Sequence, residues 1–394
     1  MWFILGVVTG INSPVAMPLF LSALAVTTAF GLCMRKKPLV QSLVIAAAMF
    51  LLGGTLAARQ RDQVAASGMT LRQWQWSQKT PDADTRLGRS RLFFLQQRER
   101  LLERYRQQGL EGEAYAVVAA MTLGDKSALD DDLRQSYNIS GAAHVLALRG
   151  LHMGIIYALL TLLAFGRRRR IIVQTLIVVS LWLFVFLVGM PSSAVRAAAM
   201  LSLYALLSLG YREKASINAL AFTAIVMLMI SPYTLYDIGF QMSFLAVLSI
   251  LVWTPVMTDW VSPQLQQRYR LVRWVWGLTA VTLAAQLGVA PLIAYYFGRF
   301  STWFLPTSFV VIPAATVIVW LALGALILTP LSAVLTAVVN GLNGFLATIA
   351  RLPGASIEGL HPSVLQTVLV YLFILCIYWL VCLLRRPQCP QTLL

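Results

Sequence analysis

Residues Ser140-Gly141-Ala142-Ala143-His144-Val145-Leu146-Ala147-Leu148-Arg149-Gly150-Leu151-His152-Met153-Gly154 open an apolar segment that runs on to about residue 166. The run is continuous rather than alternating, so it reads as a helix, and it is long enough to cross about 30 Å of hydrocarbon. Yet it carries two of the chain's three histidines, an arginine and three glycines. A charge near the bilayer centre costs about 2.5–3.5 kcal/mol on insertion scales. Such a segment either lines something wet or packs polar groups at unusual cost.

Outward from this stretch the same grammar repeats. Of the 394 residues, 59% are hydrophobic and 12% charged, and the mean hydropathy is +0.74, a balance that belongs to membrane proteins. Apolar runs fall near 15–34, 39–58, 143–166, 171–189, 193–210, 215–231, 238–256, 274–297, 303–328, 331–350 and 364–384. Residues 1–10 read as a further partial span. They lack the basic region and polar end of a cleaved signal peptide, so they are expected to join the first membrane segment. The run 331–350 is the weakest, because Asn340 and Asn343 suit a buried or interfacial helix equally well. Only helices or closed barrels satisfy backbone groups in lipid. The expected fold is therefore an all-α polytopic membrane protein, with about ten to twelve transmembrane or re-entrant helices around a polar path.

The net charge of +16 is large for so few charges. Basic clusters at Arg35-Lys36-Lys37, Arg167 to Arg170, Arg212 to Lys214, Arg268 to Arg273 and Arg385-Arg386 each follow a span. With all five on the cytoplasmic face, the spans between them alternate without contradiction, as the positive-inside rule requires. That count puts the C-terminus in the cytoplasm and residues 59–142 outside it. A second reading of the charge, attraction of a polyanion such as nucleic acid, is compatible with the first.

Residues 59–112 hold ten arginines and one lysine against six acids, with Trp74 and Trp76 nearby. From Arg89 to Gln108 the residues Leu92, Leu95, Leu102 and Tyr105 fall near one helical face, so an amphipathic helix at the membrane surface is expected. The arginines fit a solvated face or anionic lipid, and equally a phosphate-collecting rim with aromatic stacking partners.

Several chemistries leave no trace. There is no GxxxxGK[ST], no GxGxxG after a strand and no HxHxDH cluster, so neither NTP hydrolysis nor a nuclease is expected, and directed movement would draw energy from elsewhere. Cys33, Cys376, Cys382 and Cys389 form neither a CxxC nor a disulfide framework. No metal and no cofactor are expected.

The remaining polar residues sit at span ends. Asp125 follows Gly124 and precedes the acidic turn Asp130-Asp131-Asp132. This suits a helix stop followed by an acid-favoured helix start, or a re-entrant turn at a pore mouth. Ser140 can cap the helix carrying His144, while Arg149 and His152 share a face. Gly150 and Gly154 form a GxxxG step for a close helix neighbour. Metal binding by the two histidines, a satisfied polar network and a pathway lining all remain open. Arg196 lies in the first turn of its span, Asp237 and Gln241 begin another, Gln286 interrupts a third, and Arg299 follows Tyr295 and Tyr296 at its end. Asp237 could pair with Arg196 or Arg299. Three intramembrane arginines against one aspartate leave a cationic surplus, which an anionic cargo would use.

The motifs resemble the ComEC competence-protein family, membrane channels for DNA internalisation in natural transformation. The resemblance runs from about Leu101 to Leu328. It is carried by Leu123-Gly124-Asp125-Lys126-Ser127, by Ser140 through His144, by Gly150-Leu151-His152-Met153-Gly154 and by Ser193 through Arg196-Ala197-Ala198. It continues in Asp237-Ile238-Gly239-Phe240-Gln241-Met242-Ser243-Phe244, Ala285-Gln286 and Pro291 through Ser301, all in the same order. Arg149 stands where the family usually has serine. Residues 59–112 are too short for the family's extracytoplasmic OB-like domain, and the chain stops soon after Arg386, before any metallo-β-lactamase-like domain.

The resemblance implies a non-enzymatic channel in the bacterial cytoplasmic (inner) membrane that passes one DNA strand inward. Single-stranded DNA and membrane lipids are the implied partners, with an extracytoplasmic DNA receptor and a cytoplasmic helicase or strand-binding protein. Implied pathway residues are Asp125, His144, Arg149, His152, Arg196, Asp237, Gln241, Gln286, Tyr295 and Arg299, with Gly141, Gly150, Gly154 and Gly239 in helix packing. The domains expected are a transmembrane hairpin (1–58), the Arg-rich segment (59–112), a channel domain (113–386) and a cytoplasmic tail (387–394). Two other classes stay in view. One is a membrane enzyme on a lipid-linked phosphate using His144, His152, Asp125 and Arg149; the other is a small-anion secondary transporter.

Overall fold

A computed structural model describes residues 1–33, 38–68, 70, 86–146, 150–163, 170–209 and 216–384. Arg149, Trp74, Trp76 and the basic clusters at 35–37, 167–169, 212–214 and 385–386 lie outside the described residues. The protein is an all-α polytopic membrane protein. Six described helices are long and apolar enough to cross a bilayer, and seven more apolar stretches run 10–17 residues. The chain divides into two compact units, Met1–Leu92 with Asn218–Gln241, and Phe93–Ile217 with Met242–Leu394.

In the first unit α1 (Trp2–Asn12), α2 (Met17–Cys33) and α3 (Pro38–Ala66) pack together. The apolar N-terminal run breaks at Ser13-Pro14, where proline lacks the N–H needed to continue the ladder. The carbonyls freed there are not left bare: the Arg61 guanidinium of α3 donates to Gly10, Ser13 and Val15. Small residues bring α1 and α3 into backbone contact. A side-chain carbon on Gly53 would lie 2.3 Å from the Phe3 carbonyl oxygen, far inside van der Waals distance. The unit is completed by α11 (Ser216–Ile230) from Asn218 onward, a 3-10 turn (Pro232–Tyr236) and the first residues of α12 (Ile238–Thr258).

The second unit is built on three apolar cores. The largest surrounds α5 (Gly112–Leu123), in which every residue from Ala114 to Leu123 is buried. Around it pack the C-terminal part of α4 (Arg86–Gln107), α6 (Asp131–Ile139), α7 (Ala143–Leu146), α15 (Phe304–Ala325) and α16 (Leu331–Ala350). Four alanines and two valines fill half of α5, and small side chains let five elements approach one helix. The ambiguous run 331–350 is α16, with Leu335, Val339, Leu342 and Leu346 buried at helical spacing.

The second core joins α8 (Gly150–Leu163), α9 (Arg170–Leu187) and α10 (Ser192–Leu209). The third joins α12, α14 (Arg270–Phe297) and α17 (Val364–Leu384). A short helix, α13 (Pro263–Arg268), leads into α14. Two three-residue strands, β1 (Arg299–Ser301) and β2 (Ser356–Glu358), pair antiparallel with Phe300 opposite Ile357. They tie the start of α15 to the end of α16.

The amphipathic helix foreseen near 89–108 is α4, but lipid does not cover its apolar face at Leu102 and Tyr105. Both are sealed by protein, and the Tyr105 hydroxyl donates to the Ala322 carbonyl at 3.0 Å.

Candidate nucleic-acid interface

The motif at Ser140 adopts a form that its apolar run did not suggest. Ser140 closes α6 rather than capping the histidine helix, and its hydroxyl donates to the Tyr137 carbonyl at 3.3 Å. Gly141 then turns the chain with φ +82°, a left-handed conformation that costs an L side chain about 1–2 kcal/mol. A carbon added there would sit 2.9 Å from Ser301 Oγ and 3.5 Å from Phe304 Cα. The Ser140–His144 segment and the β1–α15 junction therefore touch, although some 160 residues separate them.

His144, half-buried, lies on the short α7 with Nδ1 3.0 Å from the Gly141 carbonyl oxygen. The expected single helix cannot be followed through residues 147–149, which lie outside the described residues; α7 precedes them and α8 follows. His152, on α8, is fully buried, and neither ring nitrogen has a hydrogen-bond partner among the described residues. Gly150 and Gly154 meet no described atom within 4 Å of where a side chain would begin.

Asp125 follows the left-handed Gly124 that ends α5, with φ 70°. Its carboxylate accepts from the Ser127 N–H and hydroxyl and pairs with Arg98 of α4 at 3.3 Å. Asp130 caps α6 by accepting from the Asp131 N–H at 2.8 Å. Asp237 and Gln241 belong to the first unit. Asp237 accepts from the Gly239 N–H at 2.9 Å and Gln241 donates to the Leu235 carbonyl at 2.9 Å, so both fix the turn into α12.

Arg196, in the first turn of α10, is 3% exposed. Gln286 presents a buried Oε1 with no hydrogen-bond partner among the described residues. Tyr295 and Tyr296 are exposed and meet edge-on at 4.9 Å between ring centres. Arg299 is half-buried in β1, in register with Glu358 of β2. At this end of the second unit, exposed aromatic rings and a guanidinium are thus adjacent in the chain. Among the described residues no group of three or more His, Cys, Asp or Glu is placed to hold a metal.

The sequence did not single out Arg98, Gln60, or a polar network inside the largest core. There the Tyr137 hydroxyl donates to Asn343 Oδ1 at 2.8 Å, and Asn343 Nδ2 donates to Glu113 at 3.0 Å. Burial raises the Tyr137 phenol above its ordinary value, and the nearby Glu113 charge adds to this. Beside the network a cleft of about 340 Å³ is lined by Glu113, Asp132, Ser136, Asn340 and Asn343. The available signal was Asn343 itself, an amide falling on the buried stripe of α16.

A family model described as Competence protein matches residues 121–385. The ComE operon protein 3 of Bacillus subtilis (strain 168) is 29% identical over 297 residues, which cover 72% of this chain and 36% of that protein. An uncharacterized protein of Aquifex aeolicus (strain VF5) is 29% identical over 201 residues, 50% of this chain and 45% of that one. The chain thus spans less than half the length of these curated relatives. No solved structure matches it. The match over most of the chain takes in the α5 stop, the Gly141 turn, Arg196, the turn into α12 and the β1–α15 junction: the chain belongs to the competence protein family.

Proposed function

We propose that this chain forms the membrane passage for single-stranded DNA across the bacterial cytoplasmic membrane during natural transformation. The observation that carries the reading is the family match over 121–385. A phosphodiester strand carries an anion at every step, which intramembrane guanidinium groups attract. Arg196 supplies one of them in an otherwise uncharged helix. Arg149 and Arg299 extend the cationic set, and Tyr295 and Tyr296 offer sequence-tolerant stacking. Transport needs many weak contacts rather than one tight site. A separate DNA receptor outside and a helicase or strand-binding protein inside complete the path in this proposal.

The orientation proposed has the C-terminus in the cytoplasm and the Arg-rich segment outside. Its charge count puts the α15–α16 turn on the cytoplasmic side, yet Gln108 donates to the Ala325 carbonyl at 2.8 Å and its own carbonyl accepts from Ser332 at 3.1 Å. These contacts hold the 108–112 turn and the α15–α16 turn on one side of the membrane, and α4, with seven arginines and two glutamates among its 22 residues, is too charged to cross hydrocarbon. A cysteine at Gly109 that reacts with membrane-impermeant thiol reagents from outside keeps the Arg-rich segment outside and reverses the count at α15 and α16. Reaction from the cytoplasmic side keeps the count and moves the Arg-rich segment inside.

The test of function is transformation by strains carrying Arg149→Ala, Arg196→Ala or Arg299→Ala. Each should lower DNA uptake with membrane abundance intact. Binding of single strands to the purified protein should weaken with salt, and each lost phosphate contact should reduce the slope by about 0.7. Uptake falling only in step with abundance would assign the arginines to packing instead.

A further inference from the structure

The family match begins at residue 121, yet the turn that carries Tyr236 through Gln241 is held by helices from before it. Gln60 of α3 is 6% exposed and spends both ends of its amide on this turn. Its Nε2 donates to Ser231 Oγ at 3.1 Å, and its Oε1 accepts from the Tyr233 N–H at 3.1 Å. The second contact matters most, because a 3-10 turn leaves its first N–H groups without partners inside the turn. Tyr233 is itself 5% exposed, so water cannot easily satisfy that group in place of Gln60.

A second contact of the same kind lies one helix away. Asn12, the last residue of α1, donates to the Tyr236 hydroxyl at 3.0 Å. The position of Asn12 is fixed in turn by the Arg61 guanidinium, which gathers the carbonyls where α1 breaks. Neighbouring positions of α3, 60 and 61, thus hold the turn and the helix break that faces it. Beyond them the turn passes to Asp237 and Gln241, whose side chains close on Gly239 and Leu235.

We infer that the N-terminal helices are the scaffold that sets the Tyr236–Gln241 turn, with Gln60 as its positioning residue. Gln60 touches no cargo in this account; it acts through Ser231 and Tyr233. The bearing of the turn on transport rests on the function proposed above, whereas the positioning itself does not.

The test uses the full-length chain in native membranes and reads the turn separately from DNA uptake. A cysteine at Thr234, half-buried in the turn, reports its order by its rate of thiol labelling. Gln60→Met keeps the bulk and removes both hydrogen bonds, and should raise that rate about tenfold, the scale set by two ordinary hydrogen bonds. Gln60→Glu should stay near the parent rate, because its carboxylate accepts from the Tyr233 N–H and from a rotated Ser231 hydroxyl. DNA uptake, measured without the cysteine, should fall in Gln60→Met at constant abundance and return in Gln60→Glu.

Unchanged labelling in Gln60→Met overturns the inference. So does labelling that rises as much in Gln60→Glu as in Gln60→Met. Faster labelling in Gln60→Met with full uptake leaves the positioning standing and removes its bearing on transport. If labelling responds as stated but the parent chain moves no DNA, the positioning stands and the transport reading fails.

Discussion

Tyr137 and Asn343 are joined by a hydrogen bond of 2.8 Å inside the core around α5, both side chains almost entirely out of solvent. The Asn343 amide also donates to Glu113, so one α16 residue binds the start of α5 to the last turn of α6. Tyr137→Phe should leave Asn343 Oδ1 without a donor, at about 1–3 kcal/mol. Replacing both residues, as Tyr137→Phe with Asn343→Leu, should cost less than the sum of the two single changes, since neither partner is then stranded. Thermal unfolding of the detergent-purified protein checks this, and strict additivity would refute the coupling.

Tyr105 gives a pH prediction. Burial pushes its phenol up to about 12, against a smaller opposing effect of a hydrogen bond with Thr122. The unfolded chain releases this proton near pH 10, while the folded protein keeps it and its bond to Ala322. Stability from the protonated group is complete below pH 10 and falls between about pH 10 and 12, by roughly 1.4 kcal/mol per pH unit. Tyr105→Phe should be less stable than the parent at pH 8 and should lose less as pH rises through that window. Parallel unfolding curves against pH would count against the assignment.

The Arg98–Asp125 pair is the third case. Both side chains are 17% exposed, between the surface regime of 0–1 kcal/mol and the buried one of 3–5 kcal/mol for breaking a pair. Arg98→Met should therefore cost about 1–2 kcal/mol. Asp125→Asn should cost more, because the acceptor for the Ser127 N–H and hydroxyl is weakened as well. Exchanging the charges, Arg98→Asp with Asp125→Arg, should recover only the part that belongs to the pair.

Length and apolar continuity made the membrane helices legible, because hydrocarbon punishes every exception along about 20 residues. The stop at Gly124 and the acidic start of α6 could also be read, since both are local. Partners distant in sequence could not. Arg98 looked like one of ten arginines on a polar segment, and nothing local ties it to Asp125. Asn343 looked like a weakness in a span until Tyr137, 206 residues away, supplied its donor. The strands β1 and β2 are too short for an alternating pattern to register. By hydropathy Ser140 reads with the following helix, because the apolar run continues past it, whereas the turn at Gly141 packs on Ser301 through a contact that hydropathy does not encode.

Gly141 provides the sharpest mutational test of that turn. Gly141→Ala should suffer twice: from φ +82°, at about 1–2 kcal/mol, and from the 2.9 Å approach to Ser301 Oγ. The two causes separate experimentally. Ser301→Gly removes the atoms in the way, so Gly141→Ala with Ser301→Gly should regain the steric part and keep the backbone part. Gly141→Asn should fare better on the backbone side than its size suggests, because asparagine tolerates the left-handed region, but it should still meet Ser301. If Gly141→Ala unfolds at the parent temperature, the Ser140–His144 turn does not rest against β1, and its proximity to Arg299 goes with it.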